Sequence, residues 1–174
     1  MGIQVWDGAN WYNDATSFRG FLGGLLQRRC LDDSTCPVAR SLDSIGDWWT
    51  LLIVRDAMLG IRRFSDFQRS LGLARNVLSA RLKKMVADGV MTMAPAADGT
   101  SYREYQLTEK GEALLPVLVA MRQWGERFLF APGEPRPELV DRLSGKALET
   151  IRVRDVDGRE LGVADLRLVT ASSS

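Results

Sequence analysis

Residues Phe64 to Val90, FSDFQRSLGLARNVLSARLKKMVADGV, decide the fold. They read as two short helices joined at a glycine. The first is expected from about Ser65 to Leu71. Ser65 and Gln68 fit the S-x-x-Q pattern, in which each side chain satisfies a free backbone N–H at the helix start. Gly72 stands where a left-handed helix terminus favours glycine. The second helix is expected from about Arg75 to Asp88, with Gly89 as its stop.

On a wheel of about 100° per residue, Leu78, Leu82 and Met85 share one face of the second helix, with Val86 at its edge. Asn76, Ser79, Ala80 and Lys83 lie away from that face, and Lys84 is on the opposite flank. No carboxylate appears before Asp88. A small, polar, cationic face suits a DNA major groove: small residues permit close approach, Asn76 offers groups to a base edge, and lysines meet phosphates. An ordinary surface helix with a solvated basic face has the same pattern, so the neighbouring segments decide.

The chain has 174 residues, 45% of them apolar, and a formal net charge of +1. That length suits one domain with attachments or two small ones. The charge is uneven. Between Arg55 and Gly89 the cations Arg55, Arg62, Arg63, Arg69, Arg75, Arg81, Lys83 and Lys84 face only Asp56, Asp66 and Asp88. Local basicity in a near-neutral chain points to nucleic acid. Histidine is absent, which removes His-based triads and His metal sites. Cys30 and Cys36 are too few for a four-thiolate zinc site within one chain. Neither phosphate-binding glycine motif occurs. No enzyme activity, no metal and no cofactor is therefore expected. No apolar run is long enough to span a membrane, and the N-terminus lacks a basic region followed by an apolar core. No membrane partner and a cytoplasmic location follow as expectations.

Residues 1–35 read as an extension, weakly structured or packed on a partner: Trp6, Trp11, Phe18 and Phe21 are apolar, but glycines interrupt any sustained period. Pro37 then opens a helix at its first turn, with Val38, Leu42 and Ile45 on one face and Gly46 as its end. Asp47 is placed to cap the next helix, Trp48 to Leu59, which is apolar almost all round and belongs at the centre of a small domain. Trp48 and Trp49 are expected in its core, although a cavity between them and the long helix below would suit an aromatic effector in a dimer. Arg62 and Arg63 precede the helix pair, within reach of a phosphate backbone.

After Gly89 the period changes to two. Val90–Met93 and Tyr102–Leu107 read as strands around a turn at Ala97, Asp98 and Gly99. A hairpin directly after a helix pair outlines a winged helix, whose wing lies along phosphates or reaches the minor groove; Arg103 follows the wing tip. Thr108 caps a long helix running to Phe130, which Pro116 should bend near Glu112. This helix is more apolar than one small domain buries, so a second subunit is expected. Residues 131–137 are proline-rich and read as a linker. Residues 138–169 read as a small β-rich module with candidate strands Leu139–Asp141, Ile151–Arg154 and Leu166–Val169, and residues 170–174 as a loose tail. The fold class is α+β: a winged helix-turn-helix with a long C-terminal dimerisation helix, plus a small C-terminal β module.

These features come in a specific order: Cys36-Pro37-Val38, Gly46-x-x-Trp49, Arg63-Phe64-x-x-Phe67, Leu78-x-x-Arg81-Leu82 and Tyr105-x-Leu107-Thr108-x-Lys110-Gly111. Over about Cys36 to Gly125 the chain resembles the HxlR family of bacterial winged-helix transcription regulators, relatives of the MarR group. The resemblance implies a homodimer formed largely by terminal helices and a pseudo-palindromic double-stranded DNA operator. Asn76, Ser79, Ala80 and Lys83 would face bases; Arg62, Arg63, Arg75, Lys84 and Arg103 would mainly meet phosphates. Arg81, nearer the apolar edge, would contact backbone or hold the domain together. Cys36 corresponds to a cysteine that some members use as a thiol sensor; the plainer reading is a small buried residue near the dimer seam. The excess apolar surface, separately, leaves room for a small-molecule effector. Ala74 departs from the polar cap common at the start of the recognition helix. The competing reading is a protein–protein adaptor on a winged-helix scaffold.

Overall fold

The structure, a computed structural model, describes residues 34–96 and 98–169. The readings of residues 1–33 (with Cys30), of Ala97 and of the 170–174 tail lie outside the described residues.

Helix α1 spans Pro37–Ile45, with proline in its first turn, and α2 spans Trp48–Met58. The Asp47 carboxylate accepts a hydrogen bond from the Trp49 N–H at 3.0 Å and caps α2 as the sequence indicated. Ile53 and Val54 are fully buried at the centre of the domain. The helix is not covered all round, however. Trp48 is 65% exposed and stacks on the half-buried Trp49, ring centroids 4.1 Å apart. The expected core tryptophan pair is thus one ring at the core edge and one in solvent. Asp56 was unforeseen as a core residue. It is 2% exposed, accepts from Ser70 Oγ at 2.6 Å and from Arg55 Nε and Nη2 at 2.9 and 2.7 Å, and joins α2 to the last turn of α3. A buried carboxylate persists because charge-assisted hydrogen bonds replace its hydration.

Helices α3 (Phe64–Leu71) and α4 (Arg75–Ala87) form the helix pair. The Ser65–Gln68 capping box does not form. The helix starts one residue earlier than expected, so Arg63 is the N-cap and Ser65 lies inside the first turn. Gln68 instead donates across the joint to the Leu73 carbonyl at 3.3 Å. Gly72 adopts φ 63°, the left-handed conformation its position demanded. Leu78, Leu82 and Met85 pack with Phe67, Ile53, Val54, Val90 and Met91 in one core.

Strand β1 (Met91–Pro95) pairs antiparallel with β2 (Arg103–Leu107), in register from Met91 opposite Leu107 to Pro95 opposite Arg103. The Tyr105 N–H donates to the Arg62 carbonyl at 2.8 Å, so the lead-in to α3 braces the hairpin from its other edge. Thr108 accepts from the Gly111 N–H at 3.3 Å and donates to the Gly89 carbonyl at 2.6 Å. The long helix is two: α5 (Glu109–Glu112) and α6 (Leu115–Phe128). Pro116 sits in the first turn of α6, where its missing donor breaks the helix rather than bending it.

The chain divides into two compact units, and everything above belongs to Arg29–Ile151. Within that unit the segment after α6 is held by Gln123. Its amide donates to the Glu149 carbonyl and accepts from the Ile151 N–H, each at 2.9 Å. The three strands expected in residues 138–169 reduce to two isolated antiparallel bridges, Val140 with Ala147 and Arg154 with Glu160, and a 3₁₀ turn at Val163–Asp165. The reason is local. Asp141 accepts from the Ser144 N–H at 2.6 Å, and Asp155 from the Asp157 and Arg159 N–H groups at 3.1 and 2.9 Å. Such side-chain bonds satisfy the backbone in tight turns and leave little for a ladder.

Two substitutions test this packing. A Cβ on Gly111 would lie 2.3 Å from the Val90 carbonyl oxygen. Gly111→Ala is therefore expected to cost about 1–3 kcal/mol in urea unfolding. Ser70→Ala leaves one oxygen of the buried Asp56 unpartnered and is expected to cost about 1–3 kcal/mol. Unchanged midpoints would refute the two assignments.

Candidate nucleic-acid interface

With Leu78, Leu82 and Met85 turned into the core, α4 can present only its other side. Arg75, Asn76, Ser79, Ala80, Lys83 and Lys84 are all exposed. The first turn of α4 holds no acid, and its N-cap, Ala74, makes no side-chain bond. The open N–H groups and the helix dipole therefore add positive potential at the end that carries Arg75 and Asn76. Arg75 lies 6.0 Å from the centroid of the Phe64 ring, at the outer limit of a cation–π contact, beside the α3 start. Its charge, like those of Arg62 and Lys83, is paired with no carboxylate of the described residues.

The other cations are engaged. Lys84 meets Asp88 at 2.8 Å, and Asp88 also accepts from Ser44 at 3.2 Å. Arg81 reaches back to the α2 cap Asp47 at 2.9 Å, so it holds α4 to α2. Arg103 donates to the Met93 carbonyl across the wing at 3.1 Å. Arg63 departs most from expectation. It forms an ion pair with Asp98 at the wing tip, and its Nε lies 3.6 Å from Glu104 on β2. Thr100 donates to Asp98 from its hydroxyl at 2.7 Å and its N–H at 3.1 Å. Those Thr100 bonds, followed by Arg63, hold the Asp98 carboxyl down at about 2. The hydrogen bond to Asp98 raises the Arg63 guanidinium above its ordinary value.

The structure thus gathers Arg75, Asn76, Ser79, Ala80 and Lys83 on one open helix face. It leaves Lys84 there as half of an ion pair, and ties Arg63 and Arg103 to the wing. The two wing acids, Asp98 and Glu104, were missed as site residues. Asp98 sat visibly at the wing tip, but its partner is distant in sequence, and nothing local indicates a buried glutamate on a short exposed strand.

Cys36 is the N-cap of α1, half-buried, with its N–H donating to Ser34 Oγ at 3.1 Å. The Trp48 ring, beside which an effector cavity is expected in the dimer, is exposed in the single chain. A cleft of about 460 Å³ lies along α6, lined by Val119, Arg122, Glu126, Glu138, Leu139 and Leu148 among others. No helix among the described residues is long and apolar enough to cross a membrane.

This arrangement has counterparts among known proteins. Mb3122 of Mycobacterium bovis, named an HTH-type transcriptional regulator, is 42% identical over 101 residues, 58% of this chain and 61% of that protein. The match thus spans about three fifths of that relative's length. YdeP of Bacillus subtilis, also named an HTH-type transcriptional regulator, is 32% identical over 98 residues, 56% of this chain and 77% of that protein. Among solved structures, PA1607, a candidate transcription factor, is 52% identical with a TM-score of 0.75 and covers 79% of this chain and 96% of its own. PA1374 from Pseudomonas aeruginosa, likewise a candidate transcription factor, is 36% identical with a TM-score of 0.54, covering 80% and 94%. Both structural likenesses reach beyond the winged helix. The family model for HxlR-like helix-turn-helix proteins matches residues 44–132, just over half of the chain, and the protein belongs to that family.

Proposed function

We propose that this protein regulates transcription from the cytoplasm by binding double-stranded DNA as a homodimer, with α4 in the major groove of each half of a pseudo-palindromic operator. The open face of α4 carries this reading: Asn76, Ser79 and Ala80 are short enough for close approach, and Arg75 and Lys83 bring cations that no described carboxylate neutralises. Asn76, Ser79, Ala80 and Lys83 read base edges; Arg62, Arg75 and Lys84 meet phosphates. The adaptor reading fits less well, because no aromatic anchor stands on this face.

Uncovered apolar side chains support the dimer. Met121, Trp124 and Phe128 on α6 are each more than half exposed, as are Val38 and Leu42 on α1. Apolar surface of this kind marks an interaction site. A two-fold dimer would set two α4 helices about 34–36 Å apart, one turn of DNA. A thiol reagent acting at Cys36, or a small ligand in the α6 cleft, would act on this assembly.

Fluorescence anisotropy against DNA from upstream of the protein's own gene, beside a scrambled duplex, tests the reading. Preference for the native duplex is expected, with affinity falling steeply as salt rises. Binding to neither duplex at low salt would favour the adaptor. Lys83→Ala is expected to lose about 1–3 kcal/mol on the preferred duplex and to relax its selectivity. Arg75→Ala should weaken both duplexes alike and lower the salt slope by about 1. Equal losses on both duplexes for both variants would sink that division. Trp124→Asp should shift the protein to monomer in sedimentation equilibrium; a persistent dimer would place the interface elsewhere.

A further inference from the structure

We propose that Arg63 is a positioning residue for the wing and not a phosphate contact: it ties the wing tip at Asp98 and the wing strand at Glu104 to the start of α3. The inference rests on the DNA-binding reading above and specifies how that site is held.

The geometry converges on this one guanidinium. Arg63 is the N-cap of α3, so its backbone is part of the helix pair. Its neighbour Arg62 accepts from the Tyr105 N–H at 2.8 Å, which attaches β2 through the main chain. Arg63 adds a side-chain attachment farther along the same hairpin, to Asp98 in the turn and Glu104 in β2. A two-stranded hairpin is marginal by itself in water, so its orientation depends on such attachments. The two Thr100 bonds orient Asp98 through its other oxygen. Glu104 is 7% exposed, and Arg63 is the one cation of the described residues paired with it.

Charge argues the same way. One arginine faces two carboxylates, so the group is net negative. A phosphate approaching Arg63 would compete with both acids for its charge and would come to lie beside them. With the latch closed, Arg63 screens Asp98 at the wing tip. The cost of losing Arg63 is therefore a loosened wing bearing an unscreened acid, not a lost phosphate contact.

The two roles predict opposite signs for one substitution. Full-length protein, Arg63→Gln and Asp98→Asn would be titrated onto a mixed-sequence duplex about three helical turns long across a salt series. If Arg63 positions the wing, both variants bind about two- to fivefold more weakly, as suits an exposed ion pair, and the salt slope of Arg63→Gln is unchanged. If Arg63 meets a phosphate, Asp98→Asn frees it and binds more tightly, while Arg63→Gln flattens the slope by about 0.9; that result overturns the proposal. Hydrogen exchange on the DNA-free proteins provides a second reading. Faster exchange at Ala96 and Tyr105 in both variants, with α2 amides unchanged, is expected; unchanged wing exchange in both refutes the latch. Failure of the unmodified protein to bind any duplex at low salt would overturn the DNA reading instead, and the exchange measurement would still decide the latch.

Discussion

The apolar stripe of α4 is the interaction on which the rest depends. Leu78, Leu82 and Met85 each lose nearly all contact with water against Ile53, Val54 and Phe67. At about 1.5–3 kcal/mol for each fully buried side chain, this stripe fixes the rotation of α4 about its axis. Once that rotation is set, Asn76, Ser79, Ala80 and Lys83 have nowhere to point but outward. The open face of α4 is therefore a consequence of the core, and no separate device is needed to display it. The joint between the helices follows the same constraint: Gly72 turns the chain in a left-handed conformation so that Leu73 and then α4 reach the same core.

Charge is then sorted by where the folded chain places its acids. The basic segment carries eight cations between Arg55 and Gly89, but they do not act together. Arg55 supports the buried Asp56, Arg81 holds the α2 cap, Arg63 holds the wing, and Arg69 and Lys84 pair along their own helices. Arg62, Arg75 and Lys83 keep charges with no described carboxylate beside them. A count of basic residues thus overstates the positive surface. Part of the local basicity is structural: it links elements that share little apolar contact, as with the short hairpin and the start of α3.

The apolar residues outside the core follow a different logic. On α6 they are spread too widely around the helix for one small domain to bury, and the break at Pro116 sets α6 off from the short α5 that packs beneath the wing. The segment after α6 is held by polar means, through Gln123 and short aspartate-closed turns, because it has almost no core of its own. Few buried contacts and exposed backbone bonds are the marks of a region of low local stability.

The features legible in the amino-acid order are those that depend on near neighbours. Pro37 and Asp47 opened their helices, Gly72 and Gly89 closed theirs, and Thr108 capped the turn after the wing. The spacing of Leu78, Leu82 and Met85 named the buried side of α4, and the alternation after Gly89 named the hairpin. Each of these is settled by a few residues' dihedral preferences and by periodicity, and the open face of α4 follows from them. Tertiary structure alone decided the rest. The Ser65–Gln68 cap was lost because the chain entering α3 is held against β2, which starts the helix a residue early. Trp48 faces solvent because the core is already filled by Ile53, Val54 and Phe67. Arg63 lies with Asp98 and Glu104, and Asp56 with Ser70, because folding brings together groups far apart in the chain. A sequence records which charges exist; only the folded chain decides which of them meet, since an ion pair is set by distance in space and carries no periodic signal along the backbone.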